Sequence, residues 1–66
     1  MIYEEFFNNF IFGMNYKSAV DACETNGFTT RIVSENGVDF IVTCDFNPKR
    51  VNFVIENGIV VKCDIG

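Results

Sequence analysis

Residues 50–65 read Arg-Val-Asn-Phe-Val-Ile-Glu-Asn-Gly-Ile-Val-Val-Lys-Cys-Asp-Ile, a segment with the pattern of a β-hairpin. β-Branched and aromatic residues are concentrated on both sides of Asn57-Gly58, and an Asn-Gly pair between two such runs is a strong signal for a hairpin turn. The pattern therefore predicts two antiparallel strands, Val51–Ile55 and Ile59–Ile65, joined by a tight turn.

The register of this hairpin depends on the length of the turn. A two-residue turn would pair Phe53 with Lys62, which places an apolar side chain opposite a charged one. A three-residue turn, Glu56-Asn57-Gly58, pairs Phe53 with Val61 and keeps one face of the hairpin apolar. We therefore predict the three-residue turn. Its other pairs are Val51 with Cys63 and Ile55 with Ile59.

Two further strands are predicted before this hairpin. β-Branched residues with a period of two occupy Thr29–Val33 and Val38–Val42, and the Glu-Asn-Gly at 35–37 repeats the turn sequence of the later hairpin. If these strands pair with each other, the sheet becomes a four-strand antiparallel meander. Residues 28–66 are therefore predicted to form a three- or four-stranded, mostly antiparallel sheet. Its predicted inner face consists of Ile32, Phe40, Val42, Val51, Phe53, Ile55, Ile59, Val61 and Cys63.

The N-terminal segment, residues 1–13, is predicted to form an aromatic helix. Apolar residues recur at a spacing of four between Ile2 and Phe12, which is typical of a helix with a wide apolar stripe. Gly13 is expected to end it. The stripe either packs on the core of the same chain or forms the interface of a homodimer. The residues that would seal such a dimer are Phe6, Phe7, Phe10 and Ile11.

A second helix is predicted within residues 15–27, over Tyr16–Thr25. Asn15 and the capping pattern Ser18-x-x-Asp21 indicate its start, and Asn26-Gly27 is typical of a helix end. The fold class expected from these elements is α+β, with one or two N-terminal helices packed on the sheet. The helix residues predicted to face the sheet are Tyr16, Ala19, Val20 and Cys23.

The composition describes a single small domain. The chain has 66 residues, of which 48% are hydrophobic and eight are Phe, so one core can form but not two. Five Lys and Arg against nine Asp and Glu give a net charge of −4, which argues against nucleic acid as a partner. No apolar stretch approaches the roughly 20 residues of a membrane span, so no membrane association is expected. Because the acidic N-terminus lacks the features of a secretory signal, we expect a cytoplasmic protein.

The residue types needed for most enzyme and metal chemistry are scarce. The sequence contains no His, and its three Cys do not have the spacing of zinc ligands. The aspartates do not have the arrangement of a calcium-binding loop. We therefore expect no enzyme activity, no metal and no cofactor.

Two of the cysteines are predicted to lie in the core. Cys23 falls on the inner face of the second helix and Cys63 on the inner face of the last strand, so the two could approach each other. In a cytosolic protein, two buried thiols are favoured over a disulfide. Cys44 falls in a predicted loop, where its thiol would be accessible.

The connection between the predicted second and third strands carries the functional signal. Residues 42–52 read Val-Thr-Cys-Asp-Phe-Asn-Pro-Lys-Arg-Val-Asn. The pattern Val-Thr-x-Asp-aromatic-x-Pro-x-Arg-apolar-Asn, followed by alternating strands and a terminal Gly, resembles the small serine-peptidase inhibitors related to potato inhibitor I and eglin. The short bacterial relatives in that group are the nearest. The resemblance covers Asn15 to Gly66 and is densest in residues 42–58.

The resemblance implies both a function and a set of site residues. In that family an exposed loop enters the active site of a serine peptidase as a substrate would, but is cleaved very slowly. Cys44 would be the specificity residue, and the scissile bond would follow it. The target-binding loop would consist of Thr43, Cys44, Asp45 and Phe46. The residues that would support the loop from the sheet are Arg50, Asn52 and Gly66.

The residue types at these positions fit such a loop. The planar guanidinium of Arg50 offers five donors, which could reach loop carbonyls and the Asp45 carboxylate together. Pro48 fixes its own φ and keeps Asn47 extended, so the exit of the loop would be stiff. A stiff loop loses little conformational entropy on binding.

Two other functions remain open from the sequence. Without the resemblance, residues 45–49 are an ordinary surface connection with Asx-turn chemistry. The protein would then be a small intracellular inhibitor or adaptor of another host protein, such as one encoded by a phage or mobile element, or a structural homodimer. For an inhibitor or adaptor the expected partner is a protein, either a serine peptidase or another host protein. The chain itself would be a monomer or a homodimer.

Overall fold

One helix lies against a four-stranded mixed sheet in the computed structural model, which describes residues 11–66. The strand order across the sheet is β2-β1-β3-β4. The predicted α+β class is therefore confirmed. The elements are α1 (Tyr16–Thr25), β1 (Thr29–Glu35), β2 (Val38–Asp39), β3 (Arg50–Glu56) and β4 (Ile59–Ile65).

The bounds of α1 are those predicted, because both of its ends are set by local hydrogen bonds. At the start, the side-chain oxygen of Asn15 accepts a hydrogen bond from the backbone N–H of Ser18 at 2.9 Å. At the end, the N–H of Asn26 donates to the carbonyl of Cys23, and Gly27 has a φ of +83° that suits glycine. The helix buries Ala19 and Cys23 against the sheet.

The centre of the sheet is a parallel pair, which contradicts the predicted meander. β1 runs parallel to β3, with Thr29 opposite Arg50 and Ile32 opposite Phe53. Parallel neighbours need a connection of about a dozen residues, and the chain between the two strands, residues 36–49, is long enough for that return. The other two pairs, β1 with β2 and β3 with β4, are antiparallel.

The predicted second strand is much shorter than expected. β2 contains only Val38 and Asp39, paired with Glu35 and Ser34 through a tight turn. Beyond it, the N–H of Phe40 still donates to the Val33 carbonyl of β1 at 2.9 Å, after which residues 41–47 have no regular secondary structure and residues 48–49 form a turn. The prediction that Val38–Val42 forms a strand is therefore wrong after Asp39, because the chain turns away from β1 to reach the start of β3.

The β3–β4 hairpin has a two-residue turn, so the predicted three-residue turn is wrong. Ile55 pairs with Val60, and both turn residues, Asn57 and Gly58, have positive φ angles of 51° and 77°. A register shift then occurs between Val54 and Ile55.

The register shift removes the conflict that a regular two-residue hairpin would create. Beyond it, Phe53 pairs with Cys63 and Val51 pairs with Ile65. The buried side chains of β3 therefore avoid the charged residues of β4, because one extra residue is accommodated in β4, whereas Val54 on the other face pairs with Lys62.

The core lies between α1 and the face of the sheet that α1 covers. It contains three residues of β3, together with residues from α1, β4 and the segments that flank α1. Its members are Ile11, Ala19, Cys23, Phe28, Val51, Phe53, Ile55, Val60 and Cys63.

Four residues predicted to face inward are exposed instead. Tyr16 of α1 is 37% exposed, because only the edge contact of its ring with Phe53 reaches the core. Phe40 is 43% exposed and follows the last residue of β2, with its N–H still donating to the Val33 carbonyl at 2.9 Å. Val42 is 37% exposed because it lies beyond that bond, in the connection that has left the sheet. Ile59 is 37% exposed, and Val60 is fully buried in its place because the two-residue turn and the register shift change which β4 residues face inward.

The predicted N-terminal helix lies almost entirely outside the described residues. Of its proposed dimer-forming residues, only Ile11 is described, and Ile11 is buried in the core of its own chain. The following residues pair with β4, since the N–H of Gly13 donates to the carbonyl of Val60 at 2.8 Å and the N–H of Val60 donates to Met14 at 2.9 Å. Among residues 11–66, no helix is long and apolar enough to span a membrane.

Candidate functional site

The connection between β2 and β3, residues 40–49, exposes a series of apolar side chains. Ile41 is fully exposed and Phe46 is 72% exposed, while Phe40 and Val42 are partly accessible. Large apolar side chains clustered on a surface segment are typical of sites that bind another molecule. Thr43, Cys44 and Asp45 lie in the middle of this series and are also exposed. We call residues 40–46 the exposed loop.

Arg50 connects the exposed loop to the end of β4. Its Nη2 donates to the backbone oxygen of Asp45 at 2.8 Å, and its Nε donates to the backbone oxygen of Gly66 at 2.7 Å. Its Nη1 also lies 3.6 Å from Oδ2 of Asp45. Because the Arg50 side chain is only 14% exposed, its guanidinium is held in place beneath the loop.

Asn52 and Gly66 form the base on which Arg50 rests. The side-chain N–H of Asn52 donates to the Gly66 oxygen at 3.2 Å, and the N–H of Gly66 donates to the Arg50 carbonyl at 3.0 Å. A Cβ atom on Gly66 would lie 3.2 Å from Nδ2 of Asn52 and 3.9 Å from the ring of Phe46. A side chain at position 66 would therefore crowd the Asn52 amide and disturb its hydrogen bond to the residue 66 oxygen.

Arg31, which the sequence analysis did not single out, also contacts the loop. Its Nε donates to Oδ1 of Asn52 at 2.9 Å. Its Nη1 donates to the hydroxyl of Thr43 at 3.2 Å and, more weakly, to the Thr43 carbonyl at 3.4 Å. The role of Arg31 could have been predicted from the register of β1 and β3, because a parallel pairing of these strands places Arg31 opposite Asn52.

The charge of Asp45 is stabilised by its surroundings. A hydrogen bond from the Thr43 hydroxyl is the largest of the effects that lower the pKa of Asp45, followed by the backbone N–H of Asp45 itself. The positive charges of Arg50 and then Arg31 lower this pKa further. The carboxylate is therefore ionised throughout the neutral range, where it can accept hydrogen bonds and pair with Arg50.

The exit of the loop is fixed by an Asx turn and by β1. The N–H of Lys49 donates to the side-chain oxygen of Asn47 at 2.8 Å, and the N–H of Arg50 donates to the Asn47 carbonyl at 3.1 Å. The carbonyl of Lys49 accepts from the backbone N–H of Thr29 at 2.8 Å and from the Thr29 hydroxyl at 3.2 Å. The chain therefore enters β3 in a defined direction.

The cysteines divide into one exposed and two buried thiols, as predicted. Cys44 lies in the exposed loop, and Cys23 and Cys63 lie in the core as thiols rather than as a disulfide. Burial, and to a lesser extent the nearby Cys63, raises the pKa of Cys23 to about 11. Burial also raises the pKa of Cys63, with a contribution from Asp64.

These environments predict different labelling rates. At pH 8, Cys44 should react quickly with iodoacetamide, whereas Cys23 should react slowly because its pKa rises from 9.0 to about 11, which lowers its thiolate fraction roughly 100-fold. Peptide mapping by mass spectrometry over time would measure the rates. The unfolded protein, in which all three thiols are accessible, is the control. Equal labelling of Cys23 and Cys44 in the folded protein would contradict these placements.

The residues predicted to form the site are brought together. Thr43, Cys44, Asp45 and Phe46 lie in the exposed loop, and the supporting residues Arg50, Asn52 and Gly66 lie beneath it. In residues 11–66, no group of three or more His, Cys, Asp or Glu side chains is arranged to hold a metal ion. The arrangement is that of a presented peptide segment held by a rigid base.

Comparisons with protein-family models, with curated proteins and with solved structures found no match for this chain.

Proposed function

We propose that this protein inhibits a serine peptidase by presenting residues 43–46 to the active site as a poorly cleaved substrate. The observation that carries the proposal is the pair of contacts on either side of Cys44. Thr43 is held by Arg31, and Asp45 is held by Arg50, while Cys44 itself is exposed. The proposal includes the hypothesis that this chain belongs to the potato inhibitor I family.

Preorganisation is the physical basis of such inhibition. A free peptide loses conformational freedom when it binds, at a cost of roughly 0.5–1.5 kcal/mol for each immobilised side chain. A loop already held by Arg50 and the Asn52–Gly66 base avoids much of that cost. If the bond after Cys44 is cleaved, the same contacts keep the two new ends close together, so the bond can be re-formed.

The side chains around Cys44 indicate an apolar binding cleft on the target. Ile41 and Phe46 are on opposite sides of Cys44 along the chain, and both project well into solvent. The two positive charges nearest the loop, Arg31 and Arg50, are engaged with loop oxygens rather than presented to a partner. The surface offered to the peptidase is therefore mainly apolar, with the Asp45 carboxylate at its centre.

Substitution of Cys44 tests the proposal directly. Cys44→Leu should strengthen inhibition of chymotrypsin- and subtilisin-type peptidases about 10-fold or more, because a larger apolar side chain fills their specificity pockets better. Cys44→Lys should instead favour trypsin-type peptidases, whose pocket accepts a cation. Inhibition constants against a panel of trypsin, chymotrypsin, elastase and subtilisin types would measure both shifts.

The control for this experiment is Cys63→Ala, which removes a thiol from the core and leaves the loop unchanged. That variant should keep the specificity profile of the wild type, provided that it remains folded. The proposal fails if neither the wild type nor the two Cys44 variants inhibits any peptidase of the panel. It also fails if a protein with residues 43–46 replaced by Gly and Ser inhibits as well as the wild type.

A further inference from the structure

We propose that Arg31 is a positioning residue for the exposed loop, holding the segment before Cys44 from β1 while Arg50 holds the segment after it from β3. This inference rests on the proposed inhibitor function. It assigns a role to a strand that lies outside the segment in which the site residues were predicted.

The position of Arg31 is itself fixed by a series of hydrogen bonds. Gly66 accepts from the amide of Asn52 at 3.2 Å, and the side-chain oxygen of Asn52 accepts from Nε of Arg31 at 2.9 Å. Nη1 of Arg31 then reaches the Thr43 hydroxyl at 3.2 Å. The guanidinium is planar, so fixing Nε also fixes the direction in which Nη1 points.

Arg31 also orients the hydroxyl group that contacts Asp45. A hydroxyl has one donor and two acceptor positions. The Thr43 hydroxyl accepts from Arg31, which leaves its proton for the carboxylate of Asp45. Arg31 therefore acts on both residues that flank Cys44, directly on Thr43 and through its hydroxyl on Asp45.

The two arginines hold opposite sides of the bond that a peptidase would cleave. Hydrolysis adds water across the Cys44–Asp45 peptide bond, with OH going to the Cys44 carbonyl carbon and H going to the Asp45 nitrogen. Re-forming the bond releases the same water. Arg50 retains the new amino end through the Asp45 oxygen and carboxylate, and Arg31 retains the new carboxyl end through Thr43. Both ends must stay aligned for the bond to re-form.

Arg31→Met tests this role because methionine, like the stem of arginine, is unbranched and apolar, but it has no hydrogen-bond donors. We expect the inhibition constant to rise about 10-fold and the bond after Cys44 to be hydrolysed about 10-fold faster, since the loss of a charged donor weakens the hold on Thr43. We also expect lower NMR backbone order parameters at residues 43–45 in the free protein, with an unfolding midpoint close to that of the wild type. Lys17→Met, which removes an exposed cation from α1, is the matched control and should change none of these.

A second variant moves the guanidinium to the neighbouring strand. Arg31 and Asn52 are register partners, so Arg31→Met combined with Asn52→Arg presents a guanidinium to Thr43 from β3 instead of β1. We expect this double variant to recover at least part of the slow cleavage and of the backbone order at residues 43–45. Recovery would separate loop positioning from a simple contribution of Arg31 to the stability of the sheet.

The outcomes distinguish this inference from the proposed function. If the wild type inhibits no peptidase but Arg31→Met still lowers the order parameters of residues 43–45, the inhibitor proposal fails and the positioning role of Arg31 stands. If the wild type inhibits and Arg31→Met changes neither cleavage nor these order parameters, the positioning role is overturned. It is also overturned if cleavage rises only as far as the unfolding midpoint falls and the double variant recovers nothing.

Discussion

Replacement of Phe53 by Ala is expected to lower the free energy of unfolding by about 3–5 kcal/mol. Phe53 is fully buried at the centre of β3, and its ring meets that of Tyr16 edge to face, with centroids 6.2 Å apart. The substitution therefore removes a large apolar side chain and leaves a cavity between the sheet and α1. For a domain of this size, such a loss is a large fraction of the total stability.

Denaturant unfolding followed by far-ultraviolet circular dichroism would measure the effect of Phe53→Ala. The matched control is Phe46→Ala, the same substitution at a ring that is 72% exposed, which should cost less than about 1 kcal/mol. Similar losses for the two variants would contradict the assignment of Phe53 to the core and Phe46 to the exposed loop.

Replacement of Arg50 by Ala should convert the proposed inhibitor into a substrate. The side chain contributes three contacts, to the Asp45 oxygen, the Asp45 carboxylate and the Gly66 oxygen. Two of these contacts are hydrogen bonds from a charged donor to a carbonyl oxygen, which contribute about 1.5–3 kcal/mol each, so their loss should weaken inhibition by roughly 10- to 100-fold or more. The bond after Cys44 should be hydrolysed correspondingly faster, because the two ends then separate before they can rejoin.

Inhibition constants and mass-spectrometric detection of the cleaved loop would test the Arg50 prediction. Lys62→Ala removes an exposed cation from β4 and serves as the matched control, with inhibition expected to stay at the wild-type level. A circular dichroism spectrum like that of the wild type would show that Arg50→Ala still folds. A folded Arg50→Ala variant that inhibits as strongly as the wild type and resists cleavage would refute the role given to Arg50.

Features that depend on short-range sequence could be predicted. The helix α1 has its predicted bounds because Asn15 caps its start and the Asn26-Gly27 pair ends it, both through bonds to residues three or four positions away. The two Asn-Gly turns were also recognised, since each needs consecutive residues with positive φ. Their chemistry is contained in a few neighbouring residues.

The details of strand pairing could not be read from the same patterns. Both a two- and a three-residue turn were compatible with the sequence of the β3–β4 hairpin, and the choice between them assumed a regular ladder. The observed register shift between Val54 and Ile55 allows the shorter turn and still pairs Phe53 with Cys63. A bulge is favoured only through the packing of the completed core, which a strand pattern does not describe.

The candidate site was likewise only partly accessible from the sequence. The loop residues and Arg50 were named from the family resemblance, which could be detected because its pattern lies within the short segment 42–52. Arg31 was missed because its relation to Thr43 depends on β1 lying parallel to β3 and next to it. An antiparallel meander would have placed Arg31 away from Asn52.

Local patterns in the sequence predicted the α+β class, the helix with its caps, the positions of the turns and a connection before β3 that mixes polar and apolar residues. The order β2-β1-β3-β4, the register of β4 and the set of side chains that hold the exposed loop were evident only in the folded chain. The physical reason is the range of the interactions. Caps and turns are satisfied by neighbours in the chain, whereas strand order and the contacts of Arg31 depend on which distant segments bury their apolar faces together.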